Sequence, residues 1–117
     1  MVLVEAWKRV VLGNYANFTG RAGRAEFWWF FLANLIVSLV LNVLGQAADL
    51  FGVLGLLYGL AVLVPSIAVG VRRLHDIGKP GIWILIALIP IVGTIILIVW
   101  AAQPGQPGPN EYGPAPA

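Results

Sequence analysis

The sequence predicts an all-α membrane protein: three transmembrane helices, a short N-terminal interfacial amphipathic helix before them and a Pro/Gly-rich C-terminal tail after them. Composition is the first reason, since 60% of the 117 residues are hydrophobic and only 10% charged, against roughly 25% charged in an ordinary soluble domain. So short a chain has little interior in which to hide that excess, and a compact fold in water would expose large apolar patches. Segment length is the second, because apolar runs at 27–44, 51–71 and 82–102 match the roughly 17–25 residues a helix needs to cross a bilayer. Charge placement is the third. Lys8, Arg9, Arg21 and Arg24 precede the first run, and Arg72, Arg73 and Lys79 lie between the second and third.

Residues 1–12 set Leu3, Trp7, Val10 and Val11 on one helical face, away from Glu5, Lys8 and Arg9, the pattern of a helix lying in the membrane interface. Gly13, Asn14 and Asn17 interrupt it. Gly23 then reads as the N-cap of the first span, with Glu26 three positions on in a weakened capping box. Residues 27–44 carry no charge, and Trp28 and Trp29 at their entrance suit the headgroup zone. Asn34, Ser38 and Asn42 form one polar stripe that has to face another helix, a partner protein or water. The run is longer than the apolar core of a signal peptide, so it is kept as a span.

The second run, 51–71, contains Gly55-Leu56-Leu57-Tyr58-Gly59, a spacing that lets two helices approach closely. It also contains Pro65, which removes a helical hydrogen bond and leaves a carbonyl for Ser66 and its neighbours to absorb. Residues 72–81 read as a charged loop. The third run is expected to cross the bilayer, with Pro90-Ile91-Val92-Gly93 either bending the helix or turning it into a re-entrant hairpin. The tail, 103–117, holds five Pro and three Gly and is expected to be extended or disordered on its own. The whole chain, 1–117, then forms a single membrane domain. With three crossings all seven basic residues share one side, so the positive-inside rule places the N-terminus and the 72–81 loop in the cytoplasm and the tail outside.

Several motifs occur in order: Asn14-Tyr15; Phe18-x-Gly20-Arg21-Ala22-x-Arg24-x-Glu26-Phe27-Trp28; Arg72-Arg73-Leu74-His75-Asp76; Pro90-x-x-Gly93; and Pro104-Gly105, Gly108, Asn110 and Tyr112-Gly113-Pro114. Over nearly its whole length the chain therefore resembles the domain-of-unknown-function 805 family, the YhaH-like small bacterial inner-membrane proteins. It is shorter than some relatives between the first two spans. The resemblance implies a bacterial inner-membrane location and a helical bundle. It implies no activity.

The first span starts on the face where the second ends, which is expected to gather Arg21, Arg24, Glu26, Arg72, Arg73, His75 and Asp76 into one cytoplasmic cluster. Glu26 should pair with Arg72 or Arg73, and Asp76 with Arg21 or Arg24. Setting topology and capping helices is one use for such charges. A sharper expectation is that the four arginine forks have donors to spare for phosphate oxygens, making an anionic phospholipid or a phosphorylated membrane partner the ligand. His75 and Asp76 point about 100° apart on a helix, so their adjacency is no catalytic dyad. The absence of Cys excludes disulfides, iron–sulfur clusters and thiolate zinc. No nucleotide loop, nucleophile elbow, zinc or kinase signature occurs, and no separate polar domain exists to bind nucleic acid. No catalytic, metal or cofactor residue is expected. The function expected is that of a non-enzymatic interaction or scaffold protein in contact with the lipid bilayer, a second copy of itself or a membrane partner. The alternative is a subunit of a small oligomeric channel or transporter lined by the polar stripe, although no span carries the central ionisable residue that coupled pathways usually need.

Overall fold

Where no water reaches the peptide groups of an apolar run, a helix satisfies them within the run itself. The computed structural model describes residues 2–116, so Met1 and Ala117, the ends of the N-terminal segment and of the tail, lie outside the described residues. Helix α1 (Leu3–Lys8) runs on as a π-helical stretch, Arg9–Gly13. Helices α2 (Arg24–Gly45) and α3 (Asp49–Asp76) form an antiparallel pair, followed by a 3-10 stretch, Gly81–Leu88, and helix α4 (Val92–Ala102). At 1.5 Å per residue α2 and α3 are about 33 and 42 Å long, and both are apolar enough to cross a membrane. Leu39, Val43, Leu56, Leu60 and Leu63 on these helices face outward, an arrangement that suits lipid as the surrounding solvent.

The two spans turn over within Gln46–Ala48 and nearly touch there, since a Cβ on Gly45 would come within 3.1 Å of the Gly52 backbone. Of the paired glycines, Gly55 faces Leu41 across the helix pair while Gly59 looks into open space. Near the other end lies a small core of Val10, Ala22, Phe30 and Val69, flanked by Trp7, Val11 and Phe27. The N-terminal helix belongs to this core, with Ala6 and Val10 fully buried. Its Trp7 Nε1–H donates to Tyr58 Oη at 2.8 Å, and that hydroxyl donates to Asn34 Oδ1 at 2.6 Å. Asn34 of the polar stripe is thus partnered inside the protomer, Ser38 is half-buried at the edge of a cavity of about 320 Å³, and Asn42 is exposed.

Three expectations need correction. Residues Arg72–Asp76 are not loop but the end of α3, because charge ends an apolar run without ending a helix. The helix stops in a Schellman motif: Lys79 N–H donates to the Leu74 carbonyl at 2.9 Å and Gly78 N–H to His75 at 3.0 Å, with Gly78 at φ +81°. The carbonyl orphaned by Pro65, that of Ala61, is taken not by Ser66 but by Tyr15, whose hydroxyl donates to it at 2.5 Å. The third run, 82–102, is not one helix. A continuous helix would hold Trp83 and Trp100 about 25 Å apart, yet their ring centroids are 6.2 Å apart.

The chain reverses at Ile89–Ile91. Val92 N–H donates to the Pro90 carbonyl at 2.7 Å, and Ile91 sits at φ 65°, ψ −64°, a γ-turn of the rare hand that costs a β-branched residue about 1–3 kcal/mol. The close return is possible because Gly93 lies against the Ile86 carbonyl with no room for a Cβ. Each arm is about 16 Å long, half a bilayer core. The tail accordingly comes back to the arginine end of the bundle, and not to the end where one continuous 82–102 helix would leave it.

Tyr15→Phe is expected to lower stability by about 1–2 kcal/mol by stranding the Ala61 carbonyl. In that background Pro65→Ala supplies a helical N–H and should recover most of the loss. A double-mutant cycle in denaturant titrations of the detergent-solubilised protein checks this; strictly additive effects would mean that Tyr15 does not serve that carbonyl.

Candidate functional site

Three chain ends meet at one end of the bundle: the start of α2, the end of α3 and the end of α4. Gly23 caps α2 without a side-chain bond, and Glu26 closes no capping box. Its Oε2 instead accepts from Arg72 Nη1 at 2.5 Å, and its Oε1 lies 3.9 Å from Arg9 Nη1. Asp76 is shared by two arginines, accepting from Arg21 Nε at 3.0 Å and from Arg73 Nη1. Arg72, Arg73, Asp76, His75, Arg21 and Glu26 are all buried, none more than 8% exposed. Arg24 is exposed and has no ion pair among the described residues. The structure thus brings six of the seven expected residues together, with both carboxylates paired, and leaves Arg24 outside.

Charges held so far from water need a partner for each polar atom, and most of those partners are main-chain carbonyls. Arg73 donates through Nε to Ala101 at 3.0 Å, through Nη1 to Ala22 at 3.1 Å and through Nη2 to Gln103, closing the C-terminus of α4, where a cation is favoured. Arg21 donates through Nη1 to Gly108 at 2.6 Å and through Nη2 to Gln106 at 2.5 Å. The expectation of spare donors is therefore corrected for Arg21 and Arg73. Among the described residues Arg72 keeps Nε and Nη2 without a partner, but both are buried out of reach of an outside phosphate, and only Arg24 is exposed.

His75 turns away from Asp76. Its Nδ1 lies 2.8 Å from the Gly20 carbonyl, which can only accept, so Nδ1 carries the proton. Its ring stacks on Tyr112, with centroids 4.0 Å apart and planes 1° apart. Desolvation, then the hydrogen bond and charge of neighbouring Glu111, push the Tyr112 phenol above its ordinary pKa. Asn110 Nδ2 donates to the His75 carbonyl at 2.9 Å, and Gln106 N–H to that of Asp76 at 2.8 Å. Gly105 rests on the Asp76 carboxylate where a Cβ has no room. Lys79 Nζ sits 4.7 Å above the Trp100 ring. Among the described residues no three His, Asp or Glu side chains are grouped to hold a metal ion.

The expected residue list omits the tail, which supplies much of the site. The available signal was the Asn110-Glu111-Tyr112-Gly113-Pro114 pattern, more specific than an extended tail requires. Asp76→Asn should cost about 3–5 kcal/mol, because it leaves two buried guanidiniums without their shared carboxylate. Arg24→Ala should change stability by less than about 0.5 kcal/mol. Denaturant titrations in detergent compare the two; equal losses would contradict the burial difference.

The family described as a protein of unknown function (DUF805) matches residues 15–114. The chain is 44% identical over 115 residues to the inner membrane protein YhaH of Escherichia coli K12, covering 94% of this chain and 95% of that one. It is 40% identical over 111 residues to the inner membrane protein YhaI of the same strain, covering 94% of each. The uncharacterized protein YiiR of that strain is 37% identical over 98 residues, covering 76% of this chain and 60% of that one. No solved structure matches. With this agreement over nearly its full length, and apolar helices that face outward as those of a bilayer protein do, the chain belongs to the DUF805 family of bacterial inner-membrane proteins.

Proposed function

We propose that this protein acts without catalysing a reaction, as an interaction protein whose arginine end lies at the cytoplasmic face and contacts anionic phospholipid. One observation supports this most. The buried lattice consumes Arg21, Arg73, Glu26 and Asp76 internally, while Lys8, Arg9 and Arg24 remain exposed around it and Lys79 sits at the base of the hairpin. Lys8 and Arg24, with Arg9 beyond its long 3.9 Å approach to Glu26, can meet headgroup phosphates, and each basic residue near an anionic surface adds about 1 kcal/mol. The hairpin brings the tail to the same face, so on this reading the tail is cytoplasmic too. Conduction through an oligomer has less support, because Asn34 spends its carbonyl on Tyr58 within one protomer.

Native mass spectrometry of the protein released from its membrane tests this. Arg24→Glu and Arg9→Glu should each reduce retained phosphatidylglycerol about fivefold relative to phosphatidylethanolamine. An unchanged lipid complement would reject the proposal, and loss of a co-purifying protein instead would make the contact a protein one.

A further inference from the structure

Residues 82–102 are uncharged and apolar, long enough to cross a bilayer as one helix. Such a helix would satisfy its peptide groups within itself apart from the Ile86 carbonyl that Pro90 leaves without a donor, and would release Ile91 from its positive φ. The hairpin is adopted instead, so contacts outside its turn must hold it. They lie at its open end. Arg73 grips the Ala101 and Gln103 carbonyls, Trp28 Nε1–H donates to Ala101 at 3.2 Å, and Lys79 covers Trp100. Past α4 the same two arginines continue along the tail: Arg21 holds the Gln106 and Gly108 carbonyls, and Tyr112 lies flat on His75.

These contacts have the form of peptide recognition. Arg21 and Arg73, fixed in place by Asp76 between them, present guanidinium donors to successive main-chain carbonyls. The segment they hold is rich in Pro, which keeps it extended, and places Gly105 on the carboxylate where a larger residue does not fit. The tail carries no Lys or Arg, so its own charge does nothing to keep it on the cytoplasmic side.

We propose that Arg21, Asp76 and Arg73 form a receptor for the chain's own C-terminal peptide, and that occupancy of this receptor selects between two membrane topologies. With the peptide bound, residues 82–102 remain a hairpin and the tail lies beside the arginines. With the peptide released, the segment crosses as a single helix and the tail passes to the opposite face. The proposal makes no use of Lys8, Arg9 or Arg24, the exposed basic residues that carry the lipid-contact reading.

The chain has no cysteine, so a reporter at Ala115→Cys can be read with a membrane-impermeant maleimide on spheroplasts and on inverted inner-membrane vesicles. Thr19→Cys and Ala47→Cys, exposed at opposite ends of the spans, mark the two faces. In the otherwise native chain the tail cysteine should react with the Thr19 face. Gly105→Val keeps every charge but fills the contact with Asp76, and Tyr112→Ala removes the ring stack. Gly105→Val should raise labelling of Ala115→Cys on the Ala47 face about tenfold, the change expected for losing one charge-assisted hydrogen bond, and Tyr112→Ala about fivefold, the change expected for losing an aromatic stack. Gly52→Ala, which meets open space, should leave the distribution unchanged. A tail that stays wholly on the Thr19 face in both variants overturns the proposal, as does a native tail already on the Ala47 face. Disappearance of both variants from the membrane would also overturn it, since the tail would then be required for folding and not for a choice between topologies. Phosphatidylglycerol retention measured on Gly105→Val should match the native protein, so the two readings fail separately.

Discussion

Asp76 is the point on which the architecture turns. One carboxylate at the end of α3 holds Arg21 from the segment before α2 and Arg73 from its own helix, and through those arginines the ends of α4 and of the tail are fixed. A lone ion pair at such a site contributes little net stability, because desolvation consumes most of the attraction. Here the remaining donors are taken by carbonyls that end a helix or belong to a tail without a sheet or core of its own. The lattice therefore specifies where the segments go more than it stabilises them.

The N-terminal third solves a different problem in the same way. Lipid offers no hydrogen bonds, so a proline within a span creates a need that only protein can meet. Tyr15 meets it at Ala61, while Trp7 and Tyr58 pass a hydrogen bond inward to Asn34. Polar groups scattered through apolar sequence turn out to be paired across segments far apart in the chain. This gives the first twenty residues a structural role that an amphipathic pattern alone does not convey.

How much of this could be read beforehand depends on the range of the interaction. The two long spans follow from unbroken apolar length, and the joining of Glu26, Arg72 and Asp76 in one cluster follows from antiparallel spans whose charged ends must lie together. The end of α3 was harder to read, because Arg72 to Asp76 signal water to a hydropathy rule and helix to a backbone. The hairpin was visible only as an ambiguity at Pro90, since the contacts that decide it, Arg73 to Ala101 and Trp83 to Trp100, are tertiary. The tail gave a motif without a reason, because carbonyls at Gln106 and Gly108 become ligands only when an arginine fork is brought to them.

The half-depth hairpin also gives the molecule a taper. At the arginine end α2, α3, the two hairpin arms and the packed N-terminal helix lie side by side; toward the Gln46–Ala48 turn only α2 and α3 remain. A body of that outline, set in a bilayer with its two long helices across it, would displace more lipid from one leaflet than from the other. A set of such molecules sharing one orientation would act as wedges, favouring membrane that bends away from the broad end.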